Sequence, residues 1–494
     1  MSEVPVFAIV GRVNKGKSSI VATLAEDESV AIAPRPGTTR TCREYPVRID
    51  GEVLFTLVDT PGFEEAPRAL EWLRRRETSA ASRPALVAEL LRAFEGTDEL
   101  VAERRLLAPV VAGASILYVV DGTKPYRPNY EAEMEILRWT GQPGMALINR
   151  IGEGDHVAEW RRALDQYFKI VRDFDAFLVT FDERVRLLRT FRELRDDQAE
   201  AIDRAVAALQ ADRRHRQVET AAILTELLTD ALTLTLHETA TDPGELDQQR
   251  DRLEQRFHET LRARELAARR EVERLYRHDR SRWSEPDMEP PVFERDLFAR
   301  ETWNLLGLTP GQQVVAGTVA GAVVGGTVDA LVGGASFLAG TALGSLVGGG
   351  SALYGVGRRF AQVRTTGARS LGDLGGLGDE LRRYLEGRRR FTIGPHAQPN
   401  FPWVLLDRAL LHYASVLTRT HARRDAVRLG DAERRAGEGL VAGLSDGARR
   451  DLNRAFARLR KSPDDPPPEA RRTIYENVLA LIEKLEPRVA ANGR

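Results

Sequence analysis

The tightest constraint in this sequence is a nine-residue loop. Gly11–Ser19 reads GRVNKGKSS and fits G-x-x-x-x-G-K-[ST]. It lies between an apolar run, Val6–Val10, that predicts a strand and a helical pattern over Ser18–Leu24. That is the strand–loop–helix setting in which such a loop cradles phosphate. Gly11 and Gly16 let backbone N–H groups turn inward around phosphate oxygens, and the following helix N-terminus adds a favourable dipole. In such a loop Lys17 reaches the β- and γ-phosphates and Ser18 places its hydroxyl on Mg²⁺. Asn14, Lys15 and Ser19 complete the expected nucleotide-contacting set. The chain holds six lysines against 66 arginines, and two of the six, Lys15 and Lys17, stand in this loop. A chain that otherwise uses arginine for positive charge keeps lysine where a compact point charge is needed.

The loop dictates an α/β fold around it. Further strands are expected at Glu52–Val58, Ser115–Val120, Met145–Ile148 and Phe177–Phe181, with helical patterns between most of them. Such alternation predicts a mostly parallel sheet with helices on both faces, here over residues 1–185. Asp59–Gly62 reads DTPG at the end of a strand, 42 residues past Lys17, and Pro36–Arg40 reads PGTTR before it.

Taken together, GRVNKGKSS, PGTTR and DTPG resemble the Era/EngA/TrmE class of bacterial GTPases over roughly residues 4–185. The whole chain also resembles a bacterial family that joins an Era-like GTPase domain to a large helical domain of unknown function. The resemblance implies GTP and GDP as ligands and hydrolysis of GTP to GDP and phosphate in a molecular switch. It assigns Lys17, Thr39 and Gly62 to catalysis, with Thr39 as the switch I ligand of Mg²⁺ and the Gly62 N–H as the γ-phosphate sensor. Asp59 would hold the Mg²⁺ through water. Asn14 matches the loop asparagine of the members stimulated by K⁺, so K⁺ is expected beside the phosphates. Phe63 stands where Ras-like proteins place a water-orienting glutamine, and an apolar side chain cannot orient water, so slow intrinsic hydrolysis is expected. A nucleotide-dependent dimer is one way to complete the site.

The base-reading motif of the class, N-K-x-D, departs here. Ala146–Asp155 reads ALINRIGEGD. Asn149 fits, Arg150 can stack over a base, and Gly152 replaces the guanine-reading carboxylate. Asp155, three residues on, could serve only in a rearranged loop. Guanine specificity and relaxed base specificity both stay open. Asp121 reads as a strand-end turn residue, and Phe63–Pro109 as a helical insertion, either a lid or a coupling element.

The rest of the chain reads as all-α. Residues 186–290 form a charged helical region with no proline between Thr190 and Asp242. Thr220–Leu236 suits a packed helix, whereas Leu246–Arg280 reads as a solvated helix or short coiled coil. Residues 291–360 carry a glycine-rich hairpin: 15 of the 41 glycines fall between Gly307 and Gly357, and Asp329 is the only charge between Glu301 and Arg358. Gly317, Gly321 and Gly325, and again Gly340, Gly344 and Gly348, repeat every four residues on one helix face. The two arms, about 312–331 and 335–356, suit either a membrane hairpin or a buried glycine zipper. Six valines in the first arm favour insertion by only about 2 kcal/mol, while one Asp near a helix centre costs about 2.5–3.5 kcal/mol. Residues 361–494 are helical. From Arg358 to Gly430 there are 14 arginines against six acids, which could meet inner-membrane lipid or, less readily, RNA or the ribosome. A break at Ser462–Pro468 precedes a last helix near Glu469–Leu485.

Composition limits the remaining choices. A net charge of −1 excludes a globally basic nucleic-acid binder. A single cysteine, Cys42, excludes an internal disulfide framework. Met1–Pro5 has no basic or long apolar region, so no signal peptide is expected. His396, His412 and His421 are scattered and read as structural or surface residues. The expectation is a cytoplasmic GTPase switch with a helical effector domain, or one on the cytoplasmic face of a membrane. A ribosome-assembly GTPase and a nucleotide-binding scaffold without turnover are the alternatives.

Overall fold

A computed structural model of the chain describes residues 4–26, 41–152, 154–176, 179–240, 246–277, 296–299, 302, 306–307, 364–366, 389–418 and 440–492. Thr39, the glycine-rich stretch 311–357, most of the Arg-rich stretch after it and His421 lie outside the described residues.

The N-terminal part is built as β1 (Val6–Val10), α1 (Lys17–Ala25), β2 (Arg43–Ile49), β3 (Glu52–Asp59), α2 (Ala66–Arg74), α3 (Arg83–Ala93), α4 (Val101–Val111), β4 (Ser115–Asp121), α5 (Glu131–Trp139), β5 (Gly144–Asn149), α6 (Val157–Leu164) and β6 (Val171–Phe174). The strands form one sheet in the order β2-β3-β1-β4-β5-β6. All neighbours run parallel except β2, which pairs antiparallel with β3. Alternate residues of the central strands feed two cores. Ala8, Val10, Tyr118 and Ile148 face α2–α6, while Phe7, Ile9, Leu117 and Leu147 face α1 and the helices that follow β6. Both faces are covered, which is why the central strands read as unbroken apolar runs.

Two edge strands escaped the sequence reading. Pro46 and the charges of REYPVRI obscure β2, and Arg172 and Asp173 obscure β6. Edge positions tolerate both features, and charges there discourage further pairing. The strand expected at Phe177–Phe181 is not formed over its described residues. Phe181 instead opens α7 (Phe181–Leu194), because Thr180 and Glu183 form a reciprocal capping box that starts a helix.

Next comes α8 (Ala199–Thr233), 35 residues long, about 52 Å at 1.5 Å per residue. Its first half places Ile202, Ala205 and Val206 in the sheet-side core with β3 residues Phe55 and Leu57. Its second half places Leu224, Leu228 and Leu232 in a separate helical core. One helix therefore belongs to both cores. Buried Thr220, Thr225 and Thr229 satisfy their hydroxyls on carbonyls four residues back, so polar positions do not interrupt it.

The helical core adds α9 (Leu246–Leu275), then α10 (Phe401–Thr418), α11 (Asp446–Lys461) and α12 (Pro468–Asn492). Beside them lies a small antiparallel sheet, not expected from the sequence, of β7 (Leu236–Ala240), β8 (Arg364–Thr366) and β9 (Arg389–Ile393). The expectation of a solvated helix at Leu246–Arg280 needs correcting. Leu253, Phe257, Leu261 and Val272 are buried in the helical core, and Leu266 alone among the described large apolar residues of α9 is exposed. The heavy charge misled because part of it is buried too. Glu265 binds Arg269 and Arg408, and Glu273 binds His412, all inside the α9–α10 contact. Every residue from Phe401 to Ala414 is buried, so α10 is the centre of this bundle. Buried Asp407 accepts the backbone N–H groups of Gly307 (2.7 Å) and Val441 (2.8 Å), and burial pushes its carboxyl up to about 6. His396 stacks on Phe401, and both it and His412 are buried. No described helix is long and apolar enough to cross a membrane.

Candidate phosphate-binding site

The site grows from the turn between β1 and α1. Gly11 (φ +140°) presses against strand β4: a Cβ there would lie 2.4 Å from the Val119 carbonyl oxygen. Gly16 (φ +79°) presses against Asn149, whose Nδ2 would lie 2.3 Å from a Cβ. Only glycine serves at either position. Asn149 ends β5, donates from Nδ2 to the Lys15 carbonyl at 3.1 Å and accepts from the Ala176 N–H at 3.4 Å. It therefore ties the loop to the strand ends beside it.

Lys17 opens α1, is 7% exposed, and donates to the carbonyls of Gly11 (3.2 Å) and Arg12 (2.8 Å). Burial lowers its ammonium to about 8, against the favourable field of Asp59 and Glu133. Lys15 reaches Asp121 at 3.5 Å and Arg12 binds Glu133, so the other two cations of the loop are held from below. Glu133 also accepts from the Tyr118 hydroxyl at 3.0 Å. Burial raises its carboxyl to about 7, the Arg12 charge opposing. Asn14 is exposed at φ +58°, and Ser19 is buried in the first turn of α1.

The Ser18 hydroxyl donates to Asp59 Oδ2 at 2.8 Å, joining the start of α1 to the end of β3. A hydroxyl and a carboxylate are hard oxygen donors and fit Mg²⁺. Behind them, the Thr60 hydroxyl donates to the Ile9 carbonyl at 2.7 Å. Gly62 packs on the phosphate loop so closely that a Cβ would lie 2.4 Å from the Val13 nitrogen. Phe63 donates its N–H to the Gly11 carbonyl at 3.2 Å and buries its ring in the core.

The fold thus gathers Gly11, Asn14, Lys15, Gly16, Lys17, Ser18, Ser19, Asp59, Gly62 and Asn149 around one loop. Arg150 follows Asn149 and is exposed. Gly152 has open space around it: a Cβ there would come no closer than 3.7 Å to the Thr123 hydroxyl. Asp155 sits at the start of α6, where its carboxylate accepts the Val157 N–H at 3.4 Å. The sequence reading missed Glu103, a buried carboxylate of α4 that accepts the N–H groups of Glu64 (2.8 Å) and Glu65 (2.6 Å) just after DTPG. A lone acid in a charged insertion carries no spacing signal that would single it out.

Residues 161–480 match the family described as domain of unknown function DUF3482. The chain belongs to that family. In this DUF3482 protein the preceding residues 6–150 match a second family model, described as 50S ribosome-binding GTPase. GTPase Der of Vibrio parahaemolyticus is 29% identical over 171 residues, covering 34% of this chain and 29% of the relative. The tRNA modification GTPase MnmE of Pseudothermotoga lettingae is 36% identical over 147 residues, covering 30% of this chain and 26% of the relative. The DUF3482 protein therefore spans less than a third of the length of these two curated relatives. Among solved structures, Era in complex with MgGDPNP and a 16S ribosomal RNA fragment matches at 21% identity and a TM-score of 0.27, over 39% of this chain and 57% of that one. The N-terminal part thus matches a GTPase family model and is similar to parts of Der and MnmE, and a large helical region follows it.

Proposed function

We propose that this DUF3482 protein binds GTP and GDP at the loop Gly11–Ser19, hydrolyses GTP slowly, and uses the change to act on its own helical region. The observation that carries the reading is the convergence of Lys17, Ser18, Asp59 and Asn149 on one turn. Lys17 brings a buried ammonium that donates to two carbonyls, and a phosphate would give it an anion instead. Ser18 and Asp59 would hold Mg²⁺, which when bound neutralises charge on the β- and γ-phosphates. Thr39 would join them from outside the described residues. Asn14 is the residue through which K⁺ would act. The buried Phe63 ring supports slow turnover, since no side chain at that position is free to orient water.

The helical region enters through α8. This helix packs against β3, the strand that ends in Asp59, and its Arg216 holds Glu26 at the end of α1. Its far half lies in the helical core. Competition of labelled GDP by GTP and ATP, with turnover measured in KCl and in NaCl, tests the reading. Displacement by GTP at a concentration at least tenfold below ATP, and faster turnover in KCl, are expected. Equal competition would remove guanine specificity, and equal rates would remove the K⁺ role.

Residues 311–357 and the arginines behind them enter the proposal from sequence alone, as the part that would meet a membrane. The description of the matching GTPase family favours a ribosomal partner as the second reading. Fractionation of the full-length protein separates the two. Retention in the membrane pellet after a carbonate wash is expected for a hairpin, and full release excludes a spanning one. GTP-dependent sedimentation with ribosomal subunits would favour the second reading.

A further inference from the structure

The four residues that begin at Gly62 are held from two sides. On one side is the phosphate loop. Phe63 donates its N–H to Gly11, bridges in parallel with Arg12 and buries its ring, and Gly62 lies against Val13. On the other side is α4, in the insertion between β3 and β4. There Glu103 Oε1 accepts two consecutive backbone N–H groups, from Glu64 at 2.8 Å and Glu65 at 2.6 Å. Glu103 is 1% exposed, whereas Glu64 and Glu65 turn their own side chains to water.

Three physical features make this contact strong. The acceptor is a carboxylate, and hydrogen bonds to charged groups are roughly twice as strong as neutral ones. Burial keeps water from competing for it. The two N–H groups lie at the entrance to α2, whose N-terminal end favours a negative charge. Glu65, the N-cap residue of α2, makes no capping bond through its own side chain. A carboxylate from another element supplies the negative charge instead.

We propose that Glu103 is a positioning residue for the γ-phosphate: by holding Glu64 and Glu65 it fixes where the Gly62 N–H points. This rests on the nucleotide-switch reading above and assigns a purpose to the insertion between residues 63 and 109. Glu103 does not touch the phosphates. It acts through the backbone of residues 62–65, which spans from the phosphate loop to α4. A backbone donor is useful to a γ-phosphate only when its direction is fixed before the phosphate arrives. The contact therefore bears on the triphosphate and not on the diphosphate, which lacks the group that Gly62 would sense.

The test uses the full-length protein, Glu103→Ala and Glu103→Gln. Dissociation constants for GDP and for a non-hydrolysable GTP analogue are measured beside kcat and KM for GTP. For Glu103→Ala, analogue affinity and kcat are expected to fall about tenfold, the equivalent of about 1.4 kcal/mol, with GDP affinity within twofold of wild type. Glu103→Gln keeps one neutral acceptor of the same shape and is expected to fall between the two. A purely structural role would weaken GDP and analogue alike, or lower the melting temperature without changing their ratio. An unchanged ratio and an unchanged kcat in both variants would overturn the proposal. Failure of the wild type to bind either nucleotide would instead overturn the switch reading itself.

Discussion

Lys17→Ala should weaken binding of both GTP and GDP by at least about 10²-fold in a titration with labelled nucleotide. A hydrogen bond to a charged group contributes about 1.5–3 kcal/mol, and Lys17 can offer two to the phosphates. The burial of Lys17 adds a pH signature. Burial lowers its ammonium to about 8, and the ammonium form is the one that binds phosphate. Affinity should therefore fall as the pH rises past 8. Stability moves the other way. Between about 8 and 10.5 the unfolded chain keeps the proton that the folded chain sheds, so the nucleotide-free protein gains stability across that window. Lys17→Ala should lose both effects. A variant that binds nucleotide as wild type does would place the phosphates elsewhere.

The second large effect is expected at the join between the two cores. Glu26 caps the C-terminal end of α1 at φ +51° and is held by Arg184 of α7 at 2.6 Å and by Arg216 of α8 at 2.8 Å. Arg216 is 7% exposed, also pairs with Asp212 at 2.6 Å, and lies over the ring of Tyr276, which shares a hydrogen bond with Tyr413 of α10. A line of packed and hydrogen-bonded groups thus runs from the end of the phosphate-loop helix to the central helix of the bundle. Breaking a buried ion pair from one side costs about 3–5 kcal/mol, and Arg184 still neutralises part of Glu26. Arg216→Met should therefore destabilise the protein by about 3 kcal/mol in urea unfolding. Pairing it with Glu26→Gln should cost less than the sum of the two single changes, because the uncompensated charge is gone. Nucleotide affinity should stay within twofold in all three variants, since neither residue contacts the phosphate loop's ligand side. Additive losses would mean that Glu26 and Arg216 are independent.

The legible part of this fold was the part with fixed periodicity and fixed chemistry. GRVNKGKSS named its own strand and helix, and Ser115–Val120 and Met145–Ile148 announced buried central strands by unbroken apolar runs. Edge strands did not, because β2 and β6 need only one neighbour and tolerate charge and proline. Phe177–Phe181 misled because composition favoured a strand while the Thr180–Glu183 box, a local hydrogen-bond signal, favoured a helix start. The charge of α9 misled for a different reason. Glu265, Arg269 and Glu273 look solvated until Arg408 and His412, more than 130 residues away, are brought against them. At the site, motif spacing pointed to Lys17, Ser18 and Asp59, which the fold brings to the same turn. Glu103 was not, because its partners are backbone N–H groups, which every residue but proline carries.

Hydrogen exchange of α10, Phe401–Thr418, tests the coupling between the two cores most directly. It is read in the full-length protein without nucleotide and with saturating non-hydrolysable GTP analogue. Exchange in α10 and in the second half of α8 should differ between the two states, and Arg216→Met should erase the difference while binding persists. Identical exchange of α10 in both states of the wild type, with the site saturated, would contradict a switch that acts on the helical region.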